Sequence, residues 1–191
     1  MHKYLALLRG INVGGNNIIK MTDLKTAFEE MGFSDVVTFI QSGNVIFSSE
    51  NKDLNHLTQT IEKQLSKKFN YHSVVVVISS QQLNEVIKDA PPGFGTQNDK
   101  YRYDVIFLKP PLTSKEAIKQ IILREGIDQA STGKHALYFA RTMENITKSY
   151  VSKIVALPIY KSMTIRNWNS TSKLLALMEA VTRNEKREAG I

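Results

Sequence analysis

Residues 4–8 are apolar without interruption, Tyr4-Leu5-Ala6-Leu7-Leu8, and so are residues 74–78, Val74-Val75-Val76-Val77-Ile78. A strand with one wet face alternates apolar and polar positions, so two unbroken runs predict strands covered on both faces. Between them, Leu24, Ala27, Phe28 and Met31 recur at helical spacing, with Thr22 as the expected cap, Asp23 in the first turn and Gly32 as the stop. Two β-rich runs, 36–40 and 45–47, flank Gln41-Ser42-Gly43-Asn44 and predict a hairpin. Leu54, Leu57, Ile61, Leu65 and Phe69 predict a second amphipathic helix. The resulting order is βαββαβ, that of the split βαβ or ferredoxin-like plait, an antiparallel sheet with two helices on one face.

After residue 79 the pattern starts again. Ser80 is placed to cap a connecting helix through Leu83, Val86, Ile87 and Ala90, which Pro91-Pro92 ends, and residues 93–100 have loop composition. A strand follows at 103–108. Thr113-Ser114-Lys115-Glu116 is a capping box for a helix through Ile118, Ile121 and Ile122 that should stop near Gly126. Residues 127–131 and 136–140 should pair around 132–135, and a helix over Tyr150, Val151, Ile154 and Val155 should stop at Pro158. A last strand at 163–166 leads to a terminal helix carrying Leu174, Leu175, Met178 and Val181, capped by Ser170 or Thr171; the charged run 183–188 is expected to fray. The expectation is an α+β chain of two ferredoxin-like plaits, residues 1–79 and 80–191, the second with extra connecting and C-terminal helices. A plait leaves one sheet face bare, and the other half or a second subunit is the expected cover.

Composition narrows the chemistry. The 191 residues are 42% hydrophobic and contain no cysteine, which excludes disulfides, thiolate zinc sites and thiol nucleophiles. The first apolar run is too short for a signal peptide and no 18 apolar residues run together, so a soluble cytoplasmic protein with no membrane partner is expected. Residues 1–79 hold 8 basic and 7 acidic groups, whereas residues 80–191 hold 17 and 11, so the positive charge lies in the second half. That bias favours acidic partners by long-range attraction.

Three polar segments stand out. Residues 9–20 make a connection of about a dozen residues where 2–6 are usual. Gly10, Gly14 and Gly15 permit close backbone approach there, Arg9 and Lys20 supply charge, and Asn12, Asn16 and Asn17 supply amides. The spacing is neither G-x-x-x-x-G-K-[ST] nor G-x-G-x-x-G, so it is no nucleotide fingerprint, and anion cradle and packed turn both remain open. Ser42, Gly43 and Asn44 suit either a hairpin turn or a ligand contact, and no local histidine or G-x-S-x-G pattern makes Ser42 a nucleophile. Arg166, Asn167, Trp168 and Asn169 hold the only tryptophan, placed either to stack on a planar ligand or to plug an interdomain seam. The four histidines lack metal-ligand spacing, so no metal or other cofactor is implied. An RNA-binding sheet fits poorly at residues 42–48, which carry one aromatic where such a signature has several.

These same stretches carry a family resemblance. With Leu7-Leu8-Arg9-Gly10-Ile11-Asn12-Val13-Gly14-Gly15, Met21 and Leu24, residues 38–47, and Thr164-Ile165-Arg166-Asn167-Trp168-Asn169 with Lys173-Leu174, the chain closely resembles a family of bacterial proteins known as domain of unknown function 1697. The resemblance implies two plait units and carries no activity, substrate or catalytic residue with it; at Ser170 the family often has Thr. The functional expectation is a small anionic, nucleotide-like ligand bound where residues 9–20, 42–44 and 166–169 meet near the junction of the plaits. Two alternatives stand beside it. One is a nucleic-acid-binding module using Lys148, Lys153, Lys161, Arg166 and Lys173; the other is an interaction protein whose glycine loop locks two halves or subunits.

Overall fold

The computed structural model describes the backbone of residues 1–188 and side chains to residue 180, so the expectations for Val181 and for the run 183–188 fall on side chains outside the described residues. The chain forms two units, one of residues 1–81 with 174–191 and one of residues 82–173.

In the first unit, strands β1 (His2–Leu8), β2 (Ser34–Phe39), β3 (Asn44–Ser49) and β4 (Val75–Ser79) and helices α1 (Met21–Glu30) and α2 (Leu54–Phe69) occur in the order βαββαβ. The sheet runs β2-β3-β1-β4, with neighbouring strands antiparallel, as a plait requires. Alternation sorts the strand residues: Tyr4, Ala6, Leu8, Val45, Phe47, Val75 and Val77 pack with Leu24, Phe28, Leu57, Ile61 and Leu65 from the helices. The other face carries Leu5, Leu7 and Ile46, each fully buried, so β1 is covered on both sides as its unbroken apolar run predicts.

Helix α1 begins two residues earlier than expected. Lys20 occupies the cap position with no side-chain bond, and Thr22 lies inside the first turn, donating to Asp23. Gly32, at φ +83°, does end it, and its N–H donates to the Glu29 carbonyl. Helix α2 has the better ends: Asp53 Oδ1 accepts from the Asn55 and His56 amides, and Asn70 closes it in the left-handed conformation.

The second unit repeats the topology. Strands β5 (Tyr101–Leu108), β6 (Asp128–Thr132), β7 (Ala136–Thr142) and β8 (Met163–Asn167) lie in the order β6-β7-β5-β8, again with antiparallel neighbours. Helices α4 (Ser114–Ile118) and α5 (Val151–Ala156) cover one face, where Ile106, Leu108, Leu137, Phe139 and Met163 meet Ala117 and Ile154. The Thr113–Glu116 capping box forms as expected, but the helix stops at Ile118 well short of Gly126, and Ile122 is 62% exposed. Beyond Ile118 the chain passes into i→i+3 turns, with the Gln120 amide donating to the Ala117 carbonyl at 3.1 Å and the Ile121 amide to the Ile118 carbonyl at 3.3 Å. Further on, the Arg124 amide donates to Asp128 Oδ2, which also accepts from the Tyr150 amide. Val155 likewise points to solvent on α5, while Ile154 is buried.

Helix α3 (Ser80–Lys88) follows β4 with no connecting residue, so Ser80 is its first residue and not its cap. The same economy recurs at α6 (Trp168–Glu188), which follows β8 directly. Asn167 caps it, with Oδ1 accepting from the Asn169 amide, and Ser170 and Thr171 lie inside the helix. The Thr171 hydroxyl donates back to the Asn167 carbonyl.

Candidate functional site

The 9–20 loop is folded by five left-handed residues, Gly10, Asn12, Gly14, Gly15 and Asn17. At its centre the Asn12 amide is fully engaged: Nδ2 donates to the Ile19 and Gln41 carbonyls at 3.0 and 2.9 Å, and Oδ1 accepts from the Ile19 amide at 2.8 Å. Asn17 Nδ2 donates to the Gly10 carbonyl at 2.9 Å. Above this tie, the Asn16 amide closes a tight turn on the Val13 carbonyl, putting Gly14 and Gly15 at an exposed tip. Asn16 and Lys20 are exposed beside it, as are Val13 and Ile18 at 63% and 77%.

Residues 41–44 meet this loop. The Leu8 amide donates to the Gly43 carbonyl at 2.8 Å, and a Cβ at Gly43 would stand 2.8 Å from both Leu8 Cβ and Ile11 Cδ1. With φ +74° as well, the position admits only glycine. Asn44 is fully buried, and its Nδ2 bridges the Phe39 carbonyl and the Ser42 hydroxyl, both at 3.0 Å. Thus two of the three segments chosen from sequence are joined in the first unit, largely through amides bonded to main chain.

The third segment lies in the second unit. Arg166 is buried on the sheet face away from α4 and α5, with Nη1 donating to Thr164 Oγ1 at 2.8 Å and to the Ile165 carbonyl at 2.9 Å. Burial disfavours its charged form and draws its pKa down to about 10. Asn167 Nδ2 donates to the Tyr103 carbonyl at 3.1 Å, and Asn169 is exposed. Trp168 stands edge-on to Phe94 with ring centres 5.1 Å apart, and Gly95 lies so close over the indole that a Cβ there would be 2.1 Å from Nε1.

Phe94 leads to a feature that the sequence reading passed over. Residues 82–100, α3 and the loop after it, form a strap over the sheet face that carries Tyr103 and Tyr138. Tyr138 Oη donates to the Val86 carbonyl at 2.6 Å, and burial, with a smaller effect from the nearby Asp89 charge, raises its pKa well above that of a free phenol. Glu85 Oε2 meets Lys134 Nζ at 2.8 Å and His135 Nε2 at 2.7 Å, tying the strap to the β6–β7 turn. Phe94 is edge-on to Tyr103 at 4.7 Å and to Tyr138 at 5.4 Å. Under this arch is a cavity of about 370 Å³ whose aromatic walls are Phe94, Tyr101, Tyr103 and Tyr138, with Gln97, Gln129 and Ser131 as polar groups and Ala140 among its lining. The signal for it was present as Tyr101 and Tyr103, two apart and therefore on one face of a strand, before which Pro91-Pro92-Gly93-Phe94 stiffens the covering loop.

The family pattern described as "Protein of unknown function (DUF1697)" matches residues 1–138. The chain belongs to the DUF1697 family. That match takes in the 9–20 and 41–44 segments and ends at Tyr138, while residues 164–174 lie beyond it. Among solved structures, the conserved bacterial protein SP0830 from Streptococcus pneumoniae superposes with a TM-score of 0.81 at 23% identity, over 94% of this chain and 99% of the other, a likeness of fold. No curated protein matches this DUF1697 chain. Among the described residues, no helix is long and apolar enough to cross a membrane.

Proposed function

We propose that this DUF1697 protein binds a small planar ligand, nucleotide-like in kind, in the aromatic cavity of its second unit. The observation that carries this is the cavity itself. Its volume lies near the lower end of the range for small-molecule sites, about 300–1,000 Å³, and its mix of aromatic walls with a few polar groups is what such sites use to hold and orient a ring. The excess of basic groups in residues 80–191 favours an anionic ligand by long-range attraction. In the 9–20 loop, by contrast, Asn12 and Asn17 are bonded to the loop's own main chain, which supports a tie there and a guest elsewhere.

A base-stacking RNA platform is less well supported. Tyr103 and Tyr138 sit on the two central strands, where such sheets stack bases, but the strap bonded to Tyr138 lies across them.

The test is thermal-shift screening of the wild-type protein and an Ala140→Leu variant against nucleosides, nucleotides and plain planar aromatics such as indole. A ligand at 100 times its Kd stabilises the folded state by about 2.7 kcal/mol. The expected result is a shift for the wild type and none for the variant, whose new side chain occupies the cavity. A screen that is flat for every planar compound overturns the reading and favours the interaction protein.

A further inference from the structure

Ala130 lines the aromatic cavity, yet its methyl packs with the buried cluster containing Phe139 on the opposite, helix-covered side of the sheet. What Ala130 shows to the cavity is therefore main chain. The strand register agrees. Gly133 N–H donates to the Ala136 carbonyl at 2.9 Å and Thr142 N–H to the Ile127 carbonyl at 3.1 Å. Hydrogen-bonded and non-bonded pairs alternate in an antiparallel ladder, so Gln129 and Ser131 turn their N–H and C=O toward β7, while Asp128, Ala130 and Thr132 turn theirs outward at the sheet edge. The Asp128 amide is already taken by the Arg124 carbonyl at 2.9 Å. Of the outward positions, Ala130 is the one that lines the cavity.

We infer that the Ala130 main chain reads the edge of a nucleobase, its N–H donating to a ring acceptor and its C=O accepting from the adjacent N–H, so that the ligand is a purine or pyrimidine nucleoside or nucleotide. This rests on the planar-ligand reading above. An extended strand residue presents N–H and C=O side by side on one edge, and an acceptor next to a donor is the complement displayed by the N1/N6 edge of adenine and the O6/N1 edge of hypoxanthine. The aromatic walls supply faces for the ring, and the main chain supplies the discrimination that aromatic walls lack. An extended peptide adding to β6 would need several outward positions in a row, and the cavity offers one.

The test is calorimetric titration of the full-length protein with adenosine, inosine and their counterparts without the donor, purine riboside and 1-methylinosine. At least one of adenosine and inosine binds, and its counterpart binds at least tenfold more weakly, because the Ala130 carbonyl is then left unpaired. Ala130→Pro removes the N–H at a position where the edge tolerates proline, and weakens the preferred nucleoside at least tenfold in a variant whose melting remains cooperative. Equal binding of both members of a pair, or unaltered binding by folded Ala130→Pro, overturns the edge assignment and leaves the planar-ligand reading intact. The edge assignment is also overturned if indole binds in the cavity and no nucleoside does, or if an extended peptide displaces the nucleoside by pairing with β6. If nothing planar binds at all, both readings fall together.

Discussion

The two units share a strand order and differ in what they lay on the face away from their main helices. In the first, the centre of that face is aliphatic, with Leu5, Leu7, Ile46, Val76 and Ile78 all buried, and Lys3, Asn44 and Ser48 are buried at its ends. In the second it carries Tyr101, Tyr103, Tyr138, Thr164 and Arg166 beside the fully buried Val105 and Phe107, with Ala136 and Ala140 between them. Branched aliphatic side chains interdigitate to close packing, whereas the Tyr138 ring, its hydroxyl held by the Val86 carbonyl, cannot slide to fill the gap beside Ala140. One plait is consequently closed on both faces, and the other holds a cavity beneath its strap. Duplicated topology has left one copy as a core and the other with room for a guest.

The sharpest way to break this comparison is to truncate a ring in each unit. Phe47 is fully buried among Tyr4, Phe28 and Phe33, so Phe47→Ala should cost about 3–5 kcal/mol and lower the melting temperature by well over 5 °C. Phe94→Ala removes a half-buried ring from the cavity wall; it should cost less than half as much in chemical denaturation and abolish nucleoside binding. Equal costs for the two would mean that the strap is core and not wall.

Next in size come the ties of the glycine loop. Gly43→Ala meets both a left-handed φ and two contacts at 2.8 Å, and should destabilise by about 1–3 kcal/mol. Asn12→Ala removes three hydrogen bonds that join residues 12, 19 and 41, at a cost of about 1–2 kcal/mol. Both variants, checked by urea melts and calorimetry, should keep ligand binding unchanged at temperatures where they are folded. Loss of binding in folded Asn12→Ala would move the site to the first unit.

A smaller effect concerns alkaline pH. Burial and the Asp89 charge raise the Tyr138 phenol above its ordinary value of 10.0, so the folded protein holds a proton that the unfolded chain releases. The stability from this group is complete below pH 10 and is lost as pH rises further. In Tyr138→Phe the decline above pH 10 should be shallower, as measured by urea midpoints at pH 8 to 11.

Much of the fold was legible because it is written in periodicity. The unbroken runs at 4–8 and 74–78, the α2 stripe, the Gly32 stop and the Thr113 capping box all appear where the pattern puts them. The misplaced starts of α3 and α6 share one cause: at Ser79–Ser80 and Asn167–Trp168 strand and helix abut, so the last strand residue takes the cap position and no linker marks the boundary. The overlong helix after Thr113 follows from Ile118, Ile121 and Ile122, whose spacing suits a helix although the chain leaves α-helical bonding after Ile118. At the level of sites, the segments at 9–20 and 41–44 were legible as turns, because glycine and asparagine mark left-handed backbone, but nothing in the sequence singled them out from 166–169 as partners of each other. The cavity was marked only by Tyr101 and Tyr103 and the Pro91-Pro92-Gly93-Phe94 run, and was missed because it depends on Phe94 arching from its loop onto tyrosines of β5 and β7, which are distant from each other in sequence.

The claim that a guest enters the second unit and leaves the packed first unit untouched is tested most directly by the aromatic ¹H–¹³C spectrum of the full-length protein titrated with adenosine and inosine. Resonances of Phe94, Tyr101 and Tyr103 should move together and saturate, while those of Tyr4, Phe28 and Phe47 stay in place. Saturable shifts that appear at the first unit's rings and leave the second unit's tyrosines unmoved would contradict it.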